Sequence, residues 1–427
     1  MSRKPTAGRV TQATPETTDP IHVAGALSRL PGFVYLDSVR AGSDRPASSG
    51  DRFSFLTARP TRVLKGNLFD EADFHELRTA YLEGLRSAES TPDFGFPTDG
   101  LYGWIGYDGD FTFGEYPHAL VFDPVAESWT GQGDTRSLLA DAEEFAESGS
   151  APSLSFESNM SPEGFQERVR RAQDYISSGD IYQVNLSHRF EAAAPSSLDS
   201  FDLYRRLRDS SPAPWSACVS LGGVDVLSSS PEEFLSISGR TIRTRPIKGT
   251  RPRFRDREQD EKSAYDLLTS AKEVAELIMI TDLERNDLGQ ICEFGSVEAT
   301  ELLKLERFAQ VFHLVSTVEG ALRKEVDAVS AMRACFPGGS ITGAPKKRAR
   351  EIIAELEPVP RGVYTGTIGC FGFNGESRFN IAIRTAVREG DRLHFHAGAG
   401  IVADSDPVKE WEETLHKASG LLQAFSG

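Results

Sequence analysis

At 427 residues the chain can bury one large core or two medium ones, and 39% hydrophobic against 26% charged residues is the balance of a globular protein in water. No apolar run approaches the ~20 residues of a membrane-crossing helix, so no membrane partner is expected. The formal charge of −16 argues against nucleic acid, which needs a basic face, and leaves small anions open where a site is locally basic.

Residues 1–20 are rich in Ser, Thr, Pro and Arg, lack the apolar segment of a secretion signal, and read as a flexible tail. From 21 to 126 the chain carries short apolar runs punctuated by Gly, Pro and Asp, such as Gly32-Phe33-Val34-Tyr35-Leu36, which predict strands and turns. The composition then turns small, polar and acidic, with one helix expected around 137–147 and a surface connection after it. That connection joins an amino-terminal region, 21–157, to a second region, 158–427. The four cysteines, Cys218, Cys292, Cys335 and Cys370, stand far apart without a Cys-x-x-Cys pair, which disfavours zinc or disulfides and fits a cytoplasmic chain.

Ser161-Pro162-Glu163 opens a helix with Ser as cap and Pro at the first position; Phe165, Val169, Ala172 and Ile176 follow at helical spacing, and Gly179 ends it. The segment 181–190 alternates, sending Tyr182, Val184 and Leu186 to one face and Gln183, Asn185 and Ser187 to the other. Helical patterns over 258–288 and 345–357 and strands over 378–387 and 393–401 complete a mixture without strict alternation, which suggests α+β.

Chemistry concentrates in four places. The last helix, opened by Asp406-Pro407, has Trp411, Leu415 and Leu422 as its predicted buried stripe, with Glu410, Glu413 and Lys417 on another face. Glu273 and Glu276 form a second i, i+3 pair, and Leu277-Ile278-Met279-Ile280 puts Glu276 at the edge of a buried surface. Two helices offering carboxylates can hold a hard cation such as Mg²⁺, although the same spacing also describes a solvated helix face. Two glycine-rich stretches, 337–345 and 396–400, read as turns whose free N–H groups suit an anion; the first lacks the Lys and Ser/Thr of a nucleotide loop, so a carboxylate fits better than a triphosphate. Finally, 243–253 is locally basic in an acidic chain, and Lys248 beside Gly249 becomes a nucleophile if its surroundings lower its pKa.

These stretches fall into ordered blocks: Gly179-Asp180-Ile181-Tyr182-Gln183-Val184-Asn185-Leu186, Ser230-Pro231-Glu232, Pro246-Ile247-Lys248-Gly249-Thr250-Arg251-Pro252, Asp282-Leu283-Glu284-Arg285-Asn286-Asp287, His313-Leu314-Val315-Ser316, and the glycine-rich runs 338–345 and 398–405. Over 161–425 they resemble the chorismate-binding enzymes, the family of anthranilate synthase component I, aminodeoxychorismate synthase component I, isochorismate synthases and salicylate synthases. The resemblance implies an anthranilate synthase component I-like α+β fold, two stacked, largely antiparallel sheets flanked by helices in αββα layers.

It also implies roles. Glu276 and Glu413 would ligate Mg²⁺ directly, with Glu273 and Glu410 near it through water; Gly249, Thr250, Gly398, Ala399, Gly400 and Lys417 would cradle the ring carboxylate of chorismate. Tyr364 and Arg384 would hold the enolpyruvyl carboxylate, Lys248 would add to the ring, Glu232 would protonate the leaving hydroxyl, and His313 would orient the substrate. Where isochorismate and salicylate synthases carry a water-activating lysine this chain has Gln183, and where anthranilate synthases read Pro-Ile-Ala-Gly-Thr it has Lys248. Both point to the aminodeoxychorismate branch and 4-amination on the way to 4-aminobenzoate. No cysteine lies in a Gly-x-Cys-x-Gly elbow, so ammonia is expected from a partner glutamine amidotransferase subunit. Two rival readings are anthranilate synthase component I, which leaves Lys248 incidental, and a silent chorismate- or tryptophan-binding regulatory subunit. Tyr35-Leu36-Asp37-Ser38 stands where anthranilate synthases have the Leu-Leu-Glu-Ser element that helps bind tryptophan; amino-acid binding there is left open. Val274 and Leu277 depart from relatives, which commonly carry Arg and Asn or His there.

Overall fold

The strand Val34–Asp37 shows how the layers arise. It is buried along its length, and because successive side chains of a strand point to opposite faces it serves two cores. Tyr35 joins Leu56, Cys218 and Leu227 against the helices Pro20–Leu27, Ser200–Ser210 and Pro407–Ser426. Val34 and Leu36 face inward, where Val219 and Val226 meet Tyr102, Tyr116, Ile368 and Cys370 of a second sheet. The far face of that sheet, with Leu101, Phe113 and Phe379, is covered by the helices Glu71–Ser87 and Ala328–Cys335. The architecture is thus α+β in αββα layers, as the sequence implies.

This is a computed structural model, and it describes residues 13–39, 52–88, 94–140, 142, 153–308 and 310–426. Residues 1–12 of the expected tail lie outside the described residues; of the helix expected around 137–147, the described part is Thr135–Ala140.

The first sheet runs Gly343–Ala344, Gln183–Ala193, Arg392–Ile401, Thr385–Glu389, Val224–Ser230, Trp215–Leu221, Val34–Asp37, Ser54–Thr57, Ala119–Asp123, Ser128–Gln132. The second runs Ile247–Pro252, Val311–Ala321, Thr241–Arg245, Glu233–Ser238, Glu376–Asn380, Thr367–Gly372, Gly100–Ile105, Asp110–Tyr116, Arg62–Asn67. Every pairing among these strands is antiparallel. Residues on both sides of 157 supply strands to both sheets, so the two regions of the sequence share one sandwich.

Two sequence expectations are corrected here. The strand expected over 378–387 is two strands in different sheets, and the chain crosses between them at 381–384. Both ends are buried, so the apolar pattern runs through the crossover without marking it; the mark is in the backbone, where Arg384 sits at φ 49°. In the last helix the buried stripe is Glu410, Thr414, Ala418, Leu421 and Phe425, while Trp411 is half-buried and Leu415 exposed. The small Thr414 and Ala418 are fully buried where the larger Trp411 and Leu415 beside them are not, which hydrophobicity alone does not show.

Candidate active site

Lys248 owes its position to a bulge. In the pairing of Ile247–Pro252 with Val311–Ala321, Lys248 lies opposite Leu314 and Thr250 opposite His313, leaving Gly249 as the extra residue at φ 74°. Only glycine suits it: an added Cβ would lie 2.6 Å from Leu267 and 3.1 Å from a Glu273 carboxylate oxygen. The bulge therefore brings the Lys248 backbone up to the helix Ala271–Gly289 that carries Glu273 and Glu276.

The half-buried Lys248 ammonium donates to the Ser340 carbonyl at 3.0 Å, an acceptor it shares with the Asn185 amide at 2.9 Å. Burial lowers its pKa, against the opposing pull of Glu276 and Glu232. Glu232 is buried at 5% exposure and accepts from the Ile247 N–H at 3.4 Å. Burial pushes its carboxyl up, while the Ser340 hydroxyl and Lys248 work against this. Burial thus favours the neutral form of both the acid and the amine beside it, the environment expected of a nucleophile and its acid partner.

On the same strand pair, His313 is buried, with Nδ1 3.1 Å from Thr250 Oγ1 and 3.5 Å from the Gly249 carbonyl. Burial and then the positive Arg384 hold it down to about 4, so it is neutral near pH 7. Burial also lowers the Arg384 guanidinium, and it has no hydrogen-bond or ion-pair partner among the described residues. Its carboxylate-binding fork is open. Tyr364 stacks on His396 at 5.1 Å and 15°; its hydroxyl lies 3.1 Å from where a Cβ on Gly398 would stand.

Helices Ala271–Gly289 and Pro407–Ser426 bring their carboxylates together around Lys272, whose ammonium is 3.9 Å from Glu276 and 3.7 Å from Glu410. Burial lowers this lysine's pKa, but Glu410, Glu276, Glu413 and Glu273 outweigh it and raise the pKa overall. Burial raises both Glu276 and Glu410, and one oxygen of each, Oε1 and Oε2, is buried without a hydrogen bond. Glu413 pairs with Lys417 at 2.7 Å, and Lys417 also donates to the Gly398 carbonyl at 3.0 Å. Among the described residues no three His, Cys, Asp or Glu side chains stand together as a formed metal centre. These oxygen-only donors, two of which keep an oxygen without a hydrogen bond, nevertheless fit a hard divalent cation in their chemistry.

Two further expectations change. The stretch 396–400 is no turn: it lies in Arg392–Ile401, laddered against Gln183–Ala193, so its glycines serve close approach. A Cβ on Gly400 would lie 2.6 Å from the Gln183 amide, both of whose polar atoms are buried and unpaired. In the run 337–345 the Gly339 N–H is taken by Glu284 at 2.9 Å and the Thr342 N–H by the Gly339 carbonyl; an internal carboxylate fills the place expected for a ligand's. The basic segment, likewise, mostly neutralises internal acids. Arg243 pairs with Glu233, Arg245 with Glu306, Arg251 with Glu273 and Arg253 with Asp260. Lys248 is the member with no acid in ion-pair range among the described residues.

Sequence reasoning missed Lys272, Ser340 and Glu284 as site-forming residues. The first was legible only as a neighbour of Glu273, and the other two lay in quoted blocks without a role, because their partners are distant in the chain. A cavity of about 950 Å³ opens elsewhere, lined among others by Leu283, Asp287, Lys346, Arg350 and Arg361. We place the site at Lys248 rather than in this cavity because the perturbed and incompletely hydrogen-bonded groups converge there.

An antiparallel αββα sandwich holding an amine, an acid and an unpaired guanidinium defines a site for a small carboxylated substrate. The chain belongs to the chorismate binding enzyme family, whose model matches residues 65–423. Anthranilate synthase component 1 1 of Haloarcula marismortui is 47% identical over 269 residues, 63% of this chain and 55% of the relative. Aminodeoxychorismate synthase component 1 of Bacillus subtilis is 43% identical over 271 residues, 64% of this chain and 57% of the relative. In both cases the match spans little more than half the relative's length. The crystal structure of anthranilate synthase component I from Streptococcus pneumoniae superposes with a TM-score of 0.77 at 30% identity, covering 97% of this chain and 100% of that one. Among the described residues no helix is long and apolar enough to cross a membrane.

Proposed function

We propose that the chain aminates chorismate at C4, giving 4-amino-4-deoxychorismate, with ammonia delivered by a separate glutamine amidotransferase subunit. One observation carries the reading: the Lys248 amine, deprotonation-prone and without an acid in ion-pair range, beside the buried acid Glu232. An incidental surface lysine would be solvated and at its ordinary pKa.

In this reading Arg384, with Tyr364, binds the enolpyruvyl carboxylate, and Lys417 with the glycine-lined strand 398–400 faces the ring carboxylate. Glu276 and Glu413 would hold Mg²⁺, with Glu273 and Glu410 around it; when bound, the ion supplies charge stabilisation to the ring carboxylate. The neutral Lys248 amine bonds to ring C2 as the C4–O bond breaks, and Glu232 gives its proton to the departing oxygen, which leaves as water. Ammonia then bonds to C4 as the C2–N bond breaks, returning Lys248 as a neutral amine, and the new C4 ammonium gives a proton back to Glu232. Chorismate and ammonia enter; product and water leave. His313, neutral, orients the ring.

A second reading, anthranilate synthase, is favoured by the names of several relatives at 46–48% identity. Product identity separates the two. The pure chain is incubated with chorismate, ammonium and Mg²⁺, then an aminodeoxychorismate lyase is added. We expect 4-aminobenzoate, lost on chelation with EDTA; anthranilate would select the second reading, and an inert chain would select a regulatory subunit.

A further inference from the structure

The loop between Pro337 and Pro345 is held by side chains from four directions, and each contact leads to the site. Arg361 donates to the Ile341 carbonyl at 3.1 Å, and Asn185 and Lys248 both donate to the Ser340 carbonyl. The Asn185 N–H donates to the Thr342 carbonyl at 2.9 Å. All three side chains act on carbonyls, so they fix acceptors and leave the loop's amides unheld. From the fourth direction Glu284 accepts the Gly339 N–H at 2.9 Å. That N–H belongs to the Gly338–Gly339 peptide unit, which this contact orients; the Ser340 carbonyl lies two peptide units further on, across the intervening Gly339–Ser340 unit.

Glu284 is built for that contact. It is 2% exposed, and the lack of a side chain at Gly339 makes room for the approach: a Cβ there would lie 2.6 Å from Leu283 and 3.1 Å from the Glu284 carboxylate. One turn on, Asp287 is bonded to Lys346, which also donates to the Cys335 carbonyl at 2.9 Å, tying the helix to both flanks of the loop. The second oxygen of Glu284 is buried without a partner, an arrangement that costs stability and that a purely structural contact would not require. The same helix carries Glu276 and Glu273 about two and three turns earlier, so a single rigid element sets both the carboxylate cluster and the loop.

We propose that Glu284 is a positioning residue: by holding the Gly339 amide it aims the Ser340 carbonyl at the Lys248 amine and keeps Ser340 beside Glu232. The inference rests on the reading of Lys248 as the nucleophile. Glu284 touches no reacting atom; its effect is transmitted across the intervening Gly339–Ser340 peptide unit.

The test uses the full chain with Glu284→Gln, which keeps an acceptor oxygen, and Glu284→Leu, of similar size without one; Glu284→Asp, too short to reach, stands in if the leucine variant does not fold. Chorismate loss is followed at saturating ammonium and Mg²⁺ without regard to product. Separately, acetylation of Lys248 by acetic anhydride is timed by peptide mass, with the exposed Lys347 as internal control. We expect E284Q to stay within ~3-fold of wild type and E284L or E284D to lose on the order of 10²-fold in kcat with KM little changed, the scale of a displaced catalytic group. Lys248 should acetylate several-fold faster in the latter two, because the acceptor that favours its charged form is gone, while Lys347 is unchanged. Wild-type kcat and wild-type Lys248 labelling in a folded E284L or E284D, or an E284Q as impaired as E284L, overturns the proposal. Labelling needs no turnover, so it decides this inference even if the chain makes anthranilate or no product.

Discussion

Two buried polar clusters on the same sandwich make opposite use of the same side-chain chemistry. In the amino-terminal part, Asp37 accepts from Tyr35 at 2.7 Å, Ser54 at 3.3 Å, Tyr204 at 2.9 Å and Arg208 at 2.6 Å. Its carboxylate is saturated by internal donors. At the candidate site, among the described residues, Arg384 has no anion, Lys248 hydrogen-bonds only to a carbonyl, and Glu276, Glu410 and Gln183 each keep a buried polar atom without a hydrogen bond. A closed network returns its desolvation cost as internal bonds and supports the fold; an open one holds that capacity for a ligand. Within Tyr35-Leu36-Asp37-Ser38 the Asp37 carboxylate is thus held by the chain's own Arg208 and Tyr204.

The comparison breaks first if Lys248 is dispensable. Lys248→Ala should lower chorismate turnover on the order of 10⁴-fold or more at saturating ammonia, as loss of a covalent nucleophile does, with no fall in the melting temperature. Undiminished turnover would end the covalent reading.

Asp37→Ala should do the reverse. Removing one partner strands the Arg208 charge in a buried setting, so urea unfolding should show a loss of about 3–5 kcal/mol, with kcat of the remaining folded protein unchanged. If activity falls while stability holds, the amino-terminal cluster is functional and the contrast fails.

Arg384→Ala tests whether the unpaired guanidinium awaits a carboxylate. The expected result is a fall of roughly 10²-fold in kcat/KM for chorismate, the loss of a charge-assisted pair, with stability held or raised because a buried, unpaired charge is removed.

A smaller effect reads burial directly. His188 and His313 are both held down to about 4 by burial, with Arg384 adding to the effect at His313, from an ordinary value of 6.5. Between pH 6.5 and 4 the unfolded chain takes up protons there that the folded chain does not. Stability therefore rises with pH across this window and is lost as pH falls, by roughly 2 kcal/mol per histidine at pH 5. Comparing urea unfolding at pH 7.5 and pH 5, His188→Asn should shrink the difference; an unchanged difference would show that His188 is protonated when folded.

Much of the candidate site was legible because its residues lie in contiguous blocks, Lys248 with Gly249 and the Glu273/Glu276 and Glu410/Glu413 pairs; outside it, the helix cap expected at Ser161 does accept the Gly164 N–H at 3.1 Å. What was misread shares one cause. The run 396–400 looked like a turn because glycine is common in turns, whereas here it makes room for Gln183. The basic segment looked like an anion trap because Glu233, Glu306, Glu273 and Asp260, which neutralise its arginines, sit on other elements.

Periodicity, capping and local glycine chemistry act over a few residues, so the chain's local patterns specified helices such as Pro162–Ser177, Lys346–Leu356 and Pro407–Ser426, strands such as Gln183–Ala193 and Arg392–Ile401, the α+β class and which side chains were chemically eligible. Which eligible charges stay open was decided only by tertiary structure. Whether a lysine or arginine meets an acid depends on contacts between segments tens to hundreds of residues apart, such as Lys248 with Ser340 or Glu284 with Gly339, and only the packed sheets bring those segments within hydrogen-bond reach.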